Sequence, residues 1–118
     1  MSDKLDDIFS RQTNFQIELN KGLGKLLKDR TVSTERDLQT LTKDTVLQLF
    51  SEIHEVLSEV KWKETGEHFD TNRAKIREEI IDVFHFVVNL ALIWGMDADE
   101  LYKEFVKKNN KNFERFIK

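Results

Sequence analysis

The chain has no cysteine and no proline, and only four of its 118 residues are glycine. Without cysteine there is no disulfide and no thiolate metal site, and the composition suits a reducing cytoplasm, which is the expected location. Without proline, and with so little glycine, the backbone has few punctuation points, which favours long helices over sheets and tight turns. Apolar residues are scarce as well, 39% against an average of about 45–50%. Charged residues fill the difference, at 35% against about 25%. The formal net charge is -3, so no global basic field points to a nucleic-acid partner. The greasiest run, Ile80 to Met96, is too short and too polar for a membrane span, and the acidic amino terminus is unlike a secretion signal. The expectation is a single soluble domain over residues 1–118, with neither a nucleic-acid nor a membrane partner.

What is present is helical periodicity. Ser2 can cap a first helix, with Asp3, Asp6 and Asp7 in its first turns and Leu5, Ile8, Phe9, Gln12, Phe15, Gln16 and Leu19 in register. The spacing continues through Leu23, Leu26 and Leu27 and fades by about Arg30. Thr34 or Ser33 caps a second helix, and Asp37 completes a capping-box-like pattern with Thr34. Leu38, Leu41, Val46, Leu49, Phe50, Ile53, Val56, Leu57 and Val60 form its stripe to about Lys63, followed by a polar loop over 64–70. Asp70 or Thr71 caps a third helix to about Trp94, with Gly95 placed to end it. Asp97, with Glu100 three residues on, opens a fourth that carries Leu101, Phe105 and Val106. The pattern predicts an all-α four-helix antiparallel bundle. The third helix is apolar almost all round, and so short a chain has little with which to cover it. A homo-oligomer, dimer or tetramer, with a helical core shared between subunits is expected.

Set into that third helix are Glu79, Asp82, His85 and Asn89, three or four residues apart and therefore on one face. Burying a carboxylate is costly unless it is paired or holds a metal. The second helix offers Glu52 and Glu55 at the same three-residue spacing. If the two helices pack antiparallel, the pairs face each other, and the repulsion calls for a cation. An all-oxygen ligand set suits magnesium, or manganese, and magnesium favours substrate phosphates as further ligands. The blander alternative is a pair of solvated helix faces, which Glu52 and Glu55 alone do not exclude. His85 is as readily a hydrogen-bonded core residue as a positioning group, and Asn89 as readily a core amide as a contact to base or sugar. At the carboxyl end Lys108, Asn112 and Arg115 share a face at i, i+4, i+7 and can grip phosphate, although basic tails are commonly just solvated.

Glu52-x-x-Glu55 followed by Glu79-x-x-Asp82 resembles the metal-binding signature of the all-α nucleoside triphosphate pyrophosphohydrolases, which include MazG-type enzymes and the dimeric dUTPases. The dimeric dUTPase branch is resembled over more of the chain. Phe15-Gln16-x-x-Leu19-Asn20 is similar to its first motif, Trp62-Lys63 to a step in its second, Asp82-Val83-Phe84-His85-Phe86 to its third helix, and Lys108-Asn109-x-x-Asn112-x-x-Arg115 to its last motif. Ser51 precedes Glu52 where MazG-type enzymes carry a second glutamate, as in the dUTPases. The chain lacks the extra helices that larger dUTPases insert before the last motif.

The resemblance implies magnesium-dependent conversion of dUTP and water to dUMP and pyrophosphate. Glu52, Glu55, Glu79 and Asp82 would hold metal, Glu52 or Glu55 would take a proton from water, and Lys108 and Arg115 would stabilise phosphate charge. Gln16, Trp62, Lys63, His85, Asn89, Asn109 and Asn112 would complete the substrate pocket. A MazG-like enzyme for dCTP or a damaged nucleotide is the first alternative. A non-catalytic helical interaction protein is the second.

Overall fold

The computed structural model describes residues 3–30, 33–60 and 71–117. It is helical, with no strand among the described residues: α1 Lys4–Leu19, α2 Gly22–Lys28, α3 Glu35–Glu59, α4 Arg73–Ile93 and α5 Ala98–Phe116. Five helices replace the four expected, because the first breaks in two. Asn20 adopts the left-handed conformation at φ 54 and donates its N–H to the carbonyls of Gln16 and Ile17, closing α1. Helix α2 then folds back on α1. A Cβ at Gly24 would stand 1.9 Å from the Gln16 carbonyl oxygen, so only glycine permits this approach.

The caps explain the other boundaries. Asp3, rather than Ser2, is the N-cap of α1 and forms a reciprocal capping box with Asp6. Thr34 and Asp37 form the same box on α3, as their spacing predicts. Asn72, rather than Asp70 or Thr71, caps α4 by accepting from Lys75 N–H at 3.0 Å. That helix ends in a Schellman motif: Gly95 at φ 76 donates to Leu92, and Met96 donates to Ala91. Asp97 caps α5 through the Glu100 N–H at 2.8 Å. Helix α3 closes at Glu59. The expected continuation to Lys63, and the loop over 64–70, lie outside the described residues.

The chain divides into two compact units, one of residues 1–32 with 91–118 and one of 33–90. In the first, Phe9, Leu23, Leu26, Ala91, Leu92, Ile93 and Ala98 are buried. Arg30 donates to the carbonyl of Ile93, at 2.7 Å, at the end of α4, and also to that of Leu92, which accepts from Gly95 as well. A cleft of about 440 Å³ lies beside this clamp, lined by Phe9, Thr13, Leu27 and Met96 among others.

In the second unit the sheltered positions of α3 centre on the face of Leu38, Leu41, Thr45, Leu49, Glu52, Val56 and Glu59, with Thr42, Val46 and Leu57 half-buried beside it. Of the predicted stripe, Leu38, Leu41, Val46, Leu49, Val56 and Leu57 are sheltered, whereas Phe50, Ile53 and Val60 are exposed. Helices α3 and α4 run antiparallel where they meet. Glu52 interacts with Glu79 and Asp82, and Glu59, further along α3, interacts with Lys75, further back on α4. Among the described residues no single helix is long and apolar enough to cross a membrane.

Candidate metal centre

Three of the four predicted metal ligands converge. One carboxylate oxygen from each of Glu52, Glu79 and Asp82 lies within 4.8 Å of the other two. Helix α3 supplies Glu52 from its sheltered face, and α4 supplies Glu79 and Asp82 from adjacent turns of one face. Glu79 is buried at 5% exposure, and the other two are half-buried. The glutamates sit in helices whose apolar neighbours fix the backbone, so the carboxylates are held at the seam without any loop.

Negative charge accumulates at Glu52. The Glu52 carboxyl is pushed above its ordinary value of 4.5 first by burial and then by the charges of Asp82, Glu79 and Glu55. Three oxygen donors at this separation fit a hard divalent cation. Oxygens about 2.1 Å from magnesium span about 3–4.2 Å across an octahedron, so slight closure completes the set.

The fourth predicted ligand, Glu55, lies one turn further along α3, exposed and outside the converged group, although its charge still acts on Glu52. His85 is exposed, whereas Asn89 is buried at 6%. Along the polar seam of α4, Glu79 is buried, Asp82 half-buried, His85 exposed and Asn89 buried. Gln16, Lys108, Asn109, Asn112 and Arg115 belong to the first unit. There Gln16 is half-buried, its carbonyl held against Gly24. The four α5 residues are exposed, and the Arg115 guanidinium rests 5.0 Å from the centre of the Phe116 ring. Trp62 and Lys63 lie outside the described residues.

One member of the site was missed from sequence. Lys75, a turn before Glu79 on α4, places Nζ 3.1 Å from Glu79 Oε1 and 3.9 Å from Glu78 Oε1. Its ammonium is held above its usual range, chiefly by the hydrogen bond to Glu79, with the charges of Glu78, Glu79 and Glu59 adding to it. The Lys-x-x-x-Glu spacing was the available signal, but such pairs are common on helix surfaces and carry little by themselves.

Comparison with known proteins bears on what this arrangement is. The family model described as dUTPase matches residues 4–98. A dCTP pyrophosphatase of Enterobacteria phage T4 is 39% identical over 57 residues, which is 48% of this chain and 33% of that protein. A dCTP pyrophosphatase of Enterobacteria phage LZ5 is 36% identical over 58 residues, 49% of this chain and 34% of that protein. A DNA replication protein of phage T4 is 35% identical over 51 residues, 43% of this chain but 13% of that protein. The matched stretch is thus about a third of the length of either phage pyrophosphatase. No solved structure matches the chain. With the model match running through both carboxylate pairs and the helices that carry them, the chain belongs to the dUTPase family of all-α nucleoside triphosphate pyrophosphohydrolases.

Proposed function

We propose that this chain is a divalent-metal-dependent pyrophosphohydrolase of a pyrimidine deoxynucleoside triphosphate, releasing the monophosphate and pyrophosphate. The observation that carries the reading is the meeting of the Glu52, Glu79 and Asp82 carboxylates between two antiparallel helices. Glu52, Glu79 and Asp82 hold the ion, with Glu55 available from the next turn. Bound magnesium or manganese supplies charge neutralisation of the phosphate oxygens and a more acidic water. Glu55 is the better placed base. It adjoins the group without being committed to it, whereas Glu52 is tied to the ion. Lys108 and Arg115 are assigned to the phosphates. Gln16, Trp62, Lys63, His85, Asn89, Asn109 and Asn112 are assigned to base and sugar.

Two substrates are supported by different observations. The dUTP reading rests on the family model and the motif resemblance. The dCTP reading rests on the phage relatives, which are named dCTP pyrophosphatases. Pyrophosphate release from dUTP, dCTP, dTTP and UTP, with magnesium and with a chelator, separates them. Turnover of dUTP or dCTP that needs metal supports the reading. A full panel without turnover, together with no thermal stabilisation by metal and nucleotide, returns the chain to a non-catalytic helical interaction protein. We further read the chain as a homodimer or homotetramer, because α3, α4 and α5 leave large apolar side chains exposed, and as cytoplasmic, in keeping with its lack of cysteine.

A further inference from the structure

Lys75 stands where helix physics alone disfavours a cation. It is the third residue of α4, in the turn where the macrodipole favours anions. Its pairing with Glu79 also runs in the weaker order, with the lysine on the amino-terminal side. The Nζ nevertheless lies 3.1 Å from Glu79 Oε1. What recommends the position is the acidic seam. Glu79 is almost fully buried, shares its site with Glu52 and Asp82, and needs a positive partner whenever no metal is present. Glu78 on the same helix and Glu59 on α3 also act on Lys75, so its ammonium sits at the acidic end of the seam between the two helices. The side chain keeps 42% of its surface exposed, which leaves it a way out.

We propose that Lys75 is the exchangeable counter-ion of this centre. Its ammonium neutralises Glu79 while the carboxylates hold no divalent ion. It leaves Glu79 when an ion is taken up, because two cations compete for one carboxylate. Released there, at the edge of the site, the ammonium becomes a donor to the anionic oxygens of the substrate's phosphate chain. This rests on the metal-centre reading given above.

Calorimetric titration with Mn²⁺ alone tests the exchange on wild type, Lys75→Met and Glu79→Gln. Removing the competing ammonium should tighten Mn²⁺ binding on the order of two- to fivefold, the effect of deleting one partly exposed ion pair. Glu79→Gln should bind the ion far more weakly. Equal or weaker Mn²⁺ binding by Lys75→Met overturns the exchange while leaving the metal centre standing. No Mn²⁺ uptake by the wild type overturns the centre itself, and the exchange with it. Thermal unfolding in chelator supplies a second readout. Lys75→Met should lower the Tm of the metal-free protein, and the loss should vanish in the Glu79→Gln background. Equal losses in both backgrounds mean that the ammonium does not serve Glu79, and the proposal falls.

Discussion

Glu52, Glu79 and Asp82 were legible as residues because a three-residue spacing on a helix places carboxylates on one face, and because Asp82 lies in an apolar run where an unpaired charge is costly. Two substitutions follow from that cost. Glu79→Gln or Asp82→Asn should abolish metal-dependent pyrophosphate release while far-UV circular dichroism stays helical, since each keeps the side-chain shape and removes only the charge. Metal-dependent turnover surviving in either variant rules that residue out as a ligand. The raised Glu52 carboxyl sets a pH dependence. The folded protein holds this proton more tightly than the unfolded chain does, so protonation favours folding. The contribution is present below the ordinary value of 4.5 and is lost as pH rises through the raised folded value. In chelator, the wild type should therefore gain thermal stability relative to Glu52→Gln as pH falls from neutrality toward 4.5, and added magnesium should erase the difference. A Tm gap that does not change with pH would contradict this. Lys75 escaped notice for the opposite reason: a lysine four residues from a glutamate is ordinary on any helix, and only the burial of Glu79 gives the pair meaning.

At the scale of elements, reading succeeded where a local rule acts and failed where a distant contact decides. Thr34 with Asp37, Asp97 with Glu100 and the glycine after Trp94 are short-range devices, and each appears as its spacing predicts. Thr34→Ala should cost about 0.5–2 kcal/mol in denaturant unfolding by removing one half of a capping box. The break at Asn20 had a weaker signature: Gly22 and Gly24 loosen the helix there, yet the helical spacing of leucines continues straight across it. What enforces the break is the return of α2 onto α1, possible only with no side chain at position 24. Gly24→Ala raises intrinsic helix propensity by about 1 kcal/mol, yet should destabilise by about 1–3 kcal/mol, since its methyl group meets backbone and not a movable side chain. A neutral or stabilising Gly24→Ala in a urea melt would show that α2 does not make this approach. The stripe on α3 held at six positions and missed at Phe50, Ile53 and Val60 for a related reason. Periodicity finds apolar positions but not which of two neighbouring faces is covered, and here the sheltered face is the one that also holds Glu52 and Glu59.

For the whole molecule, that last point becomes an argument about association. The second unit turns its carboxylates toward the seam between α3 and α4 and leaves apolar groups outside. Phe50 is 62% exposed, with Leu47 and Ile53 beside it, and Ile80 and Ile81 are half open on α4. Leu47, Phe50 and Ile53 follow one another at three-residue spacing on one side of α3, and a second copy of the chain can cover them through a self-complementary interface. Sedimentation should therefore give a mass above the 14.0 kDa of one chain. Phe50→Lys is the sharper test, because this ring has little packing to lose within its own chain. Burying one such side chain contributes about 1.5–3 kcal/mol, and a twofold interface counts it twice, so the dimer constant should weaken by at least about two orders of magnitude. Helicity should be retained, since the substituted position is open to solvent in the free chain. If Phe50→Lys sediments as the wild type does, this face of α3 lies outside the interface, and the exposed aromatic groups of α5 become the surface to substitute next.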